Sequence, residues 1–296
     1  MERPILSARG AAGYLEALDN VLLLTHVRPD GDTIGSAAAL CRALQDCGQT
    51  AYLLPNPEIT ATYAPYAAPY WAPEDWQGGH IVSVDIADAS LLPENAQSYR
   101  DRIELAIDHH PSQTFFARNT CLEADSAACG EIVYEIIQHL TALTADIALP
   151  LYVAVSTDCG GFQYGNTTAR THRIAAALMD VVDVAAVNKT LFRTKSRVRL
   201  AMESRMVADM KLFDHQRVVV MEIPLSLRQE MQATDADIEE LSALPALVEG
   251  TDCGVTLREL RPGTVKVSVR TGPRVDACAL CRILGGGGHH AASGAT

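Results

Sequence analysis

The sequence has no surplus of positive charge: 24 Lys and Arg stand against 36 Asp and Glu, a formal net charge of −12. A broad basic surface for gripping long duplex nucleic acid is therefore not expected, because that affinity comes from clustered cations on phosphates. Small phosphorylated ligands stay open, since bound divalent cations reverse the local field of a carboxylate cluster. Also lacking is any apolar run of about eighteen residues, so no membrane-spanning helix is expected. No apolar core of signal length follows Met1, and the protein is expected to be cytoplasmic. The eight cysteines (Cys41, Cys47, Cys121, Cys129, Cys159, Cys253, Cys278 and Cys281) lie scattered in apolar or helical stretches without a secretory context. They are expected to be reduced thiols acting as small hydrophobes. Cys278 and Cys281 form a CxxC pair, but no second Cys or His pair stands at zinc-site spacing. No internal repeat of fixed period is present.

What remains is an ordinary globular composition, 48% hydrophobic and 20% charged over 296 residues. That length holds one large domain or two medium ones with a proper core. The first part alternates short apolar runs with helical stretches. Val21–Leu24, Ala51–Leu54, Ile81–Val84 and Ile103–Ile107 read as strands, with helices from about Ile34 to Cys47 and Cys129 to Leu143. Such alternation predicts an α/β fold, with a mainly parallel sheet covered by helices on both faces. Residues 55–79, rich in Pro, Tyr and Ala, read as an irregular surface connection. A charged amphipathic helix is expected over Phe192–Leu212. Strands at Arg217–Ile223, Cys253–Glu259 and Thr264–Arg270 and a helix near Val275–Ile283 then form a smaller α/β domain. The expected division is 1–190, a connector at 191–214, and a second domain at 215–296.

Four segments carry chemistry. In Thr25-His-Val-Arg-Pro-Asp-Gly-Asp-Thr-Ile-Gly-Ser36, a strand ends at His26 and a loop presents Asp30 and Asp32 just before a helix. Ligand sites in open α/β sheets lie at the carboxyl ends of strands, and a helix N-terminus favours an anion. His-x3-Asp-x-Asp supplies the mixed N/O donors that suit Mn²⁺ or a similar ion, although alone it could equally be a loop whose Asp residues cap and turn. Asp85 closes the apolar run Ile81–Val84. Asp108-His109-His110 directly follows another, and Asp158 precedes a Gly pair. Asp and His arriving from four strand ends or adjacent loops is the way a binuclear hydrolytic site is assembled.

These four segments resemble motifs I to IV of the DHH phosphoesterase superfamily, with Asp108-His109-His110 as the signature triplet. The segment Gly285-Gly-Gly-Gly-His-His-Ala-Ala-Ser-Gly294 resembles the glycine-rich motif of the DHHA1 domain. Phe192-Arg-Thr-Lys-Ser196 and Val265-Lys-Val-Ser-Val-Arg270 also fit the pattern. The arrangement is similar to the stand-alone oligoribonuclease/pAp phosphatases of the nanoRNase type, over nearly the whole chain. The resemblance implies an N-terminal DHH catalytic domain and a C-terminal DHHA1 substrate-binding domain. It further implies two divalent ions, Mn²⁺ in most members. One would sit on His26, Asp30 and Asp85, the other on Asp32, Asp85, His109 and Asp158. His110 would stabilise charge or donate a proton, and Asp108 would orient an imidazole. Substrate would be gripped by Arg270, by Ser268 as a weaker candidate, and by Gly285, Gly286, Gly287, Gly288 and His289. Whether His289 or its neighbour His290 meets substrate stays open, and Arg193 and Lys195 read as solvated helix charges.

The implied function is Mn²⁺-dependent hydrolysis of very short oligoribonucleotides, including linear dinucleotides, and of the 3′-phosphate of adenosine 3′,5′-bisphosphate (pAp). A membrane or stable long duplex is not expected as partner, and the resemblance is compatible with a homodimer. A RecJ-like exonuclease or a cyclic dinucleotide phosphodiesterase is the alternative enzyme. A catalytically inactive nucleotide-binding module is the alternative class.

Overall fold

Val21–Leu24 is apolar at every position and forms β1, buried throughout. The computed structural model describes residues 4–288 and 290–296. In the first part of the chain, β1 lies inside a five-stranded sheet with β2 (Ala51–Leu53), β3 (His80–Val84), β4 (Ile103–Asp108) and β5 (Asn119–Leu122). The strand order is β2-β1-β3-β4-β5 and all pairings are parallel. Every strand therefore points its carboxyl end to the same edge. The order reverses between β1 and β3, which is where open α/β sheets place their ligands.

Both faces of this sheet carry helices, of different kinds. Val21, Leu23, Val82, Val84, Leu105 and Ile107 face a core shared with the α-helices α1 (Ala8–Glu16), α2 (Gly31–Asp46), α4 (Cys129–Leu140) and α5 (Ala145–Asp158). The short α3 (Ala64–Ala67) and α6 (Ala169–Met179) join the same side. Leu22, Leu24, Ile81, Ile103 and Ala106 face the other way, onto Ala89, Leu92 and Ala96 in and beside the 3-10 segments Ala89–Leu91 and Glu94–Arg102. Completely burying a Leu of this kind is worth roughly 2 kcal/mol before entropy is charged.

α2 and α5 meet without an intervening layer of side chains because α2 is small-sided where they cross. A Cβ on Gly35 would stand 2.2 Å from the Pro150 carbonyl oxygen, and one on Gly31 would stand 2.3 Å from Thr157 Oγ1. This close approach carries the C-terminal end of α5 toward the N-terminal end of α2.

The chain divides into two compact units, Met1–Arg193 and Thr194–Thr296. The single helix expected over 192–212 is broken up. A short α7 (Ala185–Asn188) runs into a π-helical turn at Lys189–Arg193, α8 covers Arg197–Ala208, and Lys211–Phe213 is strand β6. Ser196 restarts the helix by accepting a hydrogen bond from Arg199 N, an N-cap that interrupts the amphipathic pattern. α8 belongs to the second unit, where Met202 and Met206 pack on Val219 and Met221.

The second unit is built on a six-stranded sheet of order β10-β11-β9-β8-β7-β6. Its other strands are β7 (Val218–Ile223), β8 (Cys253–Arg261), β9 (Thr264–Thr271), β10 (Gly287–Gly288) and β11 (Ala292–Ala295); the short helices α9 (Leu225–Glu230) and α10 (Asp235–Ile238) lie between β7 and β8. Cys281 of α11 (Ala277–Ile283) joins Cys253, Val269 and Ala295 in a small core. The CxxC thus serves packing, and both thiols are buried and unpaired. Among the described residues, no helix is long and apolar enough to cross a membrane.

Candidate metal centre

β1 ends at Leu24, and the chain turns across the sheet edge through His26. Asn56, from the irregular 55–79 connection, fixes this turn by donating from Nδ2 to the His26 carbonyl at 2.8 Å and to Thr25 Oγ1 at 3.0 Å. The His26 Nδ1–H donates to the Val27 carbonyl at 2.8 Å, which leaves Nε2 as a free lone pair. That Nε2 lies 3.6 Å from Asp30 Oδ1 and 3.7 Å from Asp85 Oδ2. Asp30 is the N-cap of α2, accepting hydrogen bonds from the amides of Asp32 and Thr33.

Asp32, in the first turn of α2, is buried. Its Oδ1 accepts from Ser36 Oγ and from Gly130 N, both at 2.9 Å, and its Oδ2 accepts from Cys129 N at 2.7 Å. The two amides belong to the opening turn of α4, so a second helix N-terminus holds this carboxylate.

Asp85 follows β3 with a backbone φ of 61°, in the left-handed region that suits Asp and Asn better than most side chains. Its amide donates to the Ile107 carbonyl at 2.8 Å, which ties the turn to β4. β4 then ends in the triplet. Asp108 is completely buried and accepts from the amides of His109 and His110, from His110 Nδ1 at 2.8 Å, and from Gln113 Nε2 at 2.6 Å. His109 turns the other way: its Nδ1–H donates to the Ser126 carbonyl at 3.1 Å. Its Nε2 lies 3.8 Å from Asp32 Oδ2, 3.6 Å from Asp85 Oδ1 and 3.7 Å from Asp158 Oδ2.

Asp158 corrects one sequence expectation. It does not leave a strand end or loop but is the last residue of helix α5. The apolar stretch 147–156 is buried almost throughout, and a helix buried all round carries no periodic stripe to distinguish it from a strand.

Three groups of ligand atoms result, each within 4.8 Å of one another: His26, Asp30 and Asp85; Asp32, His109 and Asp158; and Asp85, His109 and His110. Crowding makes the carboxylates poor acids. Burial, then the charges of Asp32, Asp30, Asp108 and Asp158, holds the Asp85 pKa well above the usual carboxylate range. Burial, then Asp32 and Asp30, pushes Asp158 up to about 8. Asp32 is raised chiefly by burial; burial is also the largest single influence on Asp30, but His26 and the amides of Thr33 and Asp32 together outweigh it and lower its pKa. Burial opposes the charged forms of His26 and His110 most, but Asp30 with the Val27 carbonyl at His26, and Asp108 with Asp158 and Asp32 at His110, together outweigh it and raise both. Asp85 Oδ1 is buried without a hydrogen-bond donor among the described residues. A buried acceptor in this state carries a desolvation penalty that a cation would remove. The donor set, imidazole nitrogens and carboxylates with outer partners already fixed, fits divalent transition-metal ions.

Comparison with known proteins agrees with this geometry. The DHH family, N-terminal domain, matches residues 20–155. A Thermus thermophilus protein named bifunctional oligoribonuclease and PAP phosphatase NrnA is 32% identical over 97% of this chain and 87% of its own length. The chain belongs to the DHH family. Its Bacillus subtilis relative of the same name is 24% identical over 94% of the chain and 89% of that protein. A solved structure, that of an exopolyphosphatase-related protein from Bacteroides fragilis, superposes with a TM-score of 0.87 over 98% of this chain and 90% of that one, at 20% identity. Family membership makes this chain a phosphoesterase, and the seven Asp and His side chains of the three groups lie within or just beyond the matched segment.

The remaining sequence candidates of this DHH-family chain lie in the second unit. Ser268 and Arg270, two apart on β9, line a pocket of about 180 Å³ with Thr256, Arg258 and Lys266. The glycine run is not a free loop. Gly287 and Gly288 pair with Gly294 and Ser293 as β10 against β11. A Cβ on Gly286 would stand 2.1 Å from the Gly294 carbonyl oxygen and one on Gly288 2.7 Å from that of Ala292, whereas Gly285 and Gly287 face open space. Alternate glycines are thus required by packing, whereas at the other two a side chain would meet nothing, although the Gly285 amide donates to the Arg282 carbonyl at 3.0 Å. His289 lies outside the described residues.

Residues that hold the first ring in place were missed by sequence reasoning: Asn56, Gln113, Ser126, Cys129 and Gly130. Most act through backbone groups, which leave no side-chain signal.

Proposed function

We propose that the protein is a two-metal phosphoesterase that hydrolyses short oligoribonucleotides and the 3′-phosphate of pAp. The observation that carries this reading is the position of Asp85. Its two carboxylate oxygens face His26 and His109 separately, at 3.7 and 3.6 Å. His26, Asp30 and Asp85 would hold one divalent ion, and Asp32, Asp85, His109 and Asp158 the other, with Asp85 common to both. Mn²⁺ is the ion we assign, from the donor set. Bound ions there supply Lewis acidity toward a phosphoester.

The chain's own groups do the rest. We leave His110 out of both ion sites because the nitrogen it turns toward Asp85 Oδ1, at 3.5 Å, is the Nδ1 that donates to Asp108 at 2.8 Å, whereas His26 and His109 present Nε2. Burial opposes the charged form of His110, but Asp108 and the neighbouring carboxylates raise its pKa and favour the protonated ring, the form that can give a proton to the leaving oxygen and stabilise charge on the phosphate. Asp108 fixes the ring and is itself fixed by Gln113. In the second unit, Arg270 and Ser268, with the glycine run 285–288, are the groups we assign to substrate binding, with Arg suited to phosphate by its guanidinium. The names of the Thermus thermophilus and Bacillus subtilis relatives supply the substrate class.

The test is parallel hydrolysis of a dinucleotide, a five-mer, pAp and pyrophosphate, with Mn²⁺ and with chelator. Absence of metal-dependent turnover on every phosphoester overturns the enzyme reading. Preference for pyrophosphate over each nucleotide overturns the substrate assignment.

A further inference from the structure

The two ligand groups are built differently. His26 and Asp30 belong to one short loop: Val27 holds the imidazole, α2's own amides hold the carboxylate, and Asn56 holds the His26 carbonyl. Asp32, His109 and Asp158 come from three separate elements and share an external brace. Segment 126–130 touches two of them: the Ser126 carbonyl takes the His109 Nδ1–H, and the Cys129 and Gly130 amides take Asp32.

That segment is in turn clamped by residues at the start of α6. Asn166 Nδ2 donates to the Ala127 carbonyl at 2.9 Å and also to the Asp158 carbonyl at 3.0 Å. Arg170 donates to Glu123 Oε2 at 2.8 Å and to Ser126 Oγ at 3.2 Å, and it pairs with Glu135 at 2.7 Å. Thr171 Oγ1 donates to the buried Glu131 at 2.5 Å, and Glu131 Oε2 accepts from the Ala127 amide at 3.4 Å. No atom of this clamp belongs to the proposed ligand set, yet each of the three ligands is one or two bonds from it.

We infer that Asn166 and Arg170 are positioning residues for one ion site only, the Asp32–His109–Asp158 site, and leave the His26–Asp30–Asp85 site unaffected. The inference rests on the two-metal reading above. An outer partner of a ligating group is typically worth about 10–100-fold in metal affinity, so the clamp makes the two sites separately adjustable.

Two measurements on the full chain test it. Mn²⁺ titration by calorimetry, without substrate, is expected to show two classes of site in the parent protein. In Asn166→Ala and in Arg170→Ala, one class should weaken about 10–100-fold while the other stays within about twofold. Equal weakening of both classes, or of neither, overturns the inference. Should Arg170→Ala not fold, the exposed Asn166→Ala decides. The second measurement is the ¹⁵N imidazole spectrum of the metal-free protein. His109 should show the Nδ1–H tautomer in the parent and lose it in the variants, and its retention in both variants overturns the inference. A parent protein that binds no divalent ion fails the two-metal reading at that control, whereas the metal-free spectrum speaks to the clamp alone.

Discussion

Asp85 Oδ1 stands 3.6 Å from His109 Nε2, in a buried position where no described donor meets it. A carboxylate left this way is a liability to the metal-free fold and an asset to a bound cation.

Asp85→Asn should therefore separate stability from function. The variant removes the charge with little change of shape. We expect turnover to fall at least about 100-fold, because its role exceeds that of an outer partner, and both ion sites to weaken together. The metal-free variant should melt higher than the metal-free parent near neutral pH, as replacements of strained site residues often do. Calorimetric Mn²⁺ binding and thermal melts check the two halves, and an unchanged pair of ion affinities would remove Asp85 from the centre of the site.

The same crowding fixes the pH dependence of the metal-free protein. Asp158 at about 8, and the raised Asp85 and Asp32, bind protons more tightly folded than unfolded. Their contribution is complete below the unfolded carboxylate value of about 4 and is lost as the pH rises through the folded values. His26 and His110 are raised as well and act in the same direction. Asp30, being lowered, acts oppositely, and only as the pH falls through its acid range. Chelator-treated protein should lose melting temperature from about pH 5 to about pH 9, and Mn²⁺ should flatten that slope. A metal-free melting temperature that climbs over the interval contradicts the assignment.

His110→Ala should lower kcat by about 10²–10⁴-fold, the range for a general acid, with Mn²⁺ affinity retained. Asp108→Asn removes the partner that raises the His110 pKa. The alkaline limb of the kcat profile should then move to lower pH. A limb that stays in place would assign the proton to another group.

Gly35→Ala places a methyl group 2.2 Å from the Pro150 carbonyl, and both are backbone-anchored. Overpacking of this sort costs about 1–3 kcal/mol or more. Because α2 carries Asp32 and α5 carries Asp158, melts and Mn²⁺ titration should both register the change. An unperturbed melt would show that the helices separate at low cost.

Much of the first unit is legible in the sequence because its strands are apolar on both faces and stop at titratable residues. Val21–Leu24 before His26 and Ile81–Val84 before Asp85 are unambiguous for that reason. β5 is harder to see: Asn119–Leu122 is short and half polar. The segment Glu94–Arg102 shields one sheet face with Ala96 as its buried residue, too little to form a stripe. α5 is not legible as a helix because burial on every side erases helical period, so Asp158 is expected only at a strand end or adjacent loop. The strands β10 and β11, made of Gly, Ala and Ser, carry no β-propensity at all and exist because small residues let two backbones meet. The Asp and His candidates were visible as residue types, but the amides and carbonyls that aim them were not.

The left-handed backbone at Asp85 has a practical consequence. Asn is the side chain that best shares this conformation with Asp, so the neutral replacement should keep the turn between β3 and the next segment intact. The D85N protein should thus serve as a substrate trap, folded and at least about 100-fold slower than the parent. Soaked with an uncleaved dinucleotide, it is the form in which the contacts of a whole substrate can be photographed.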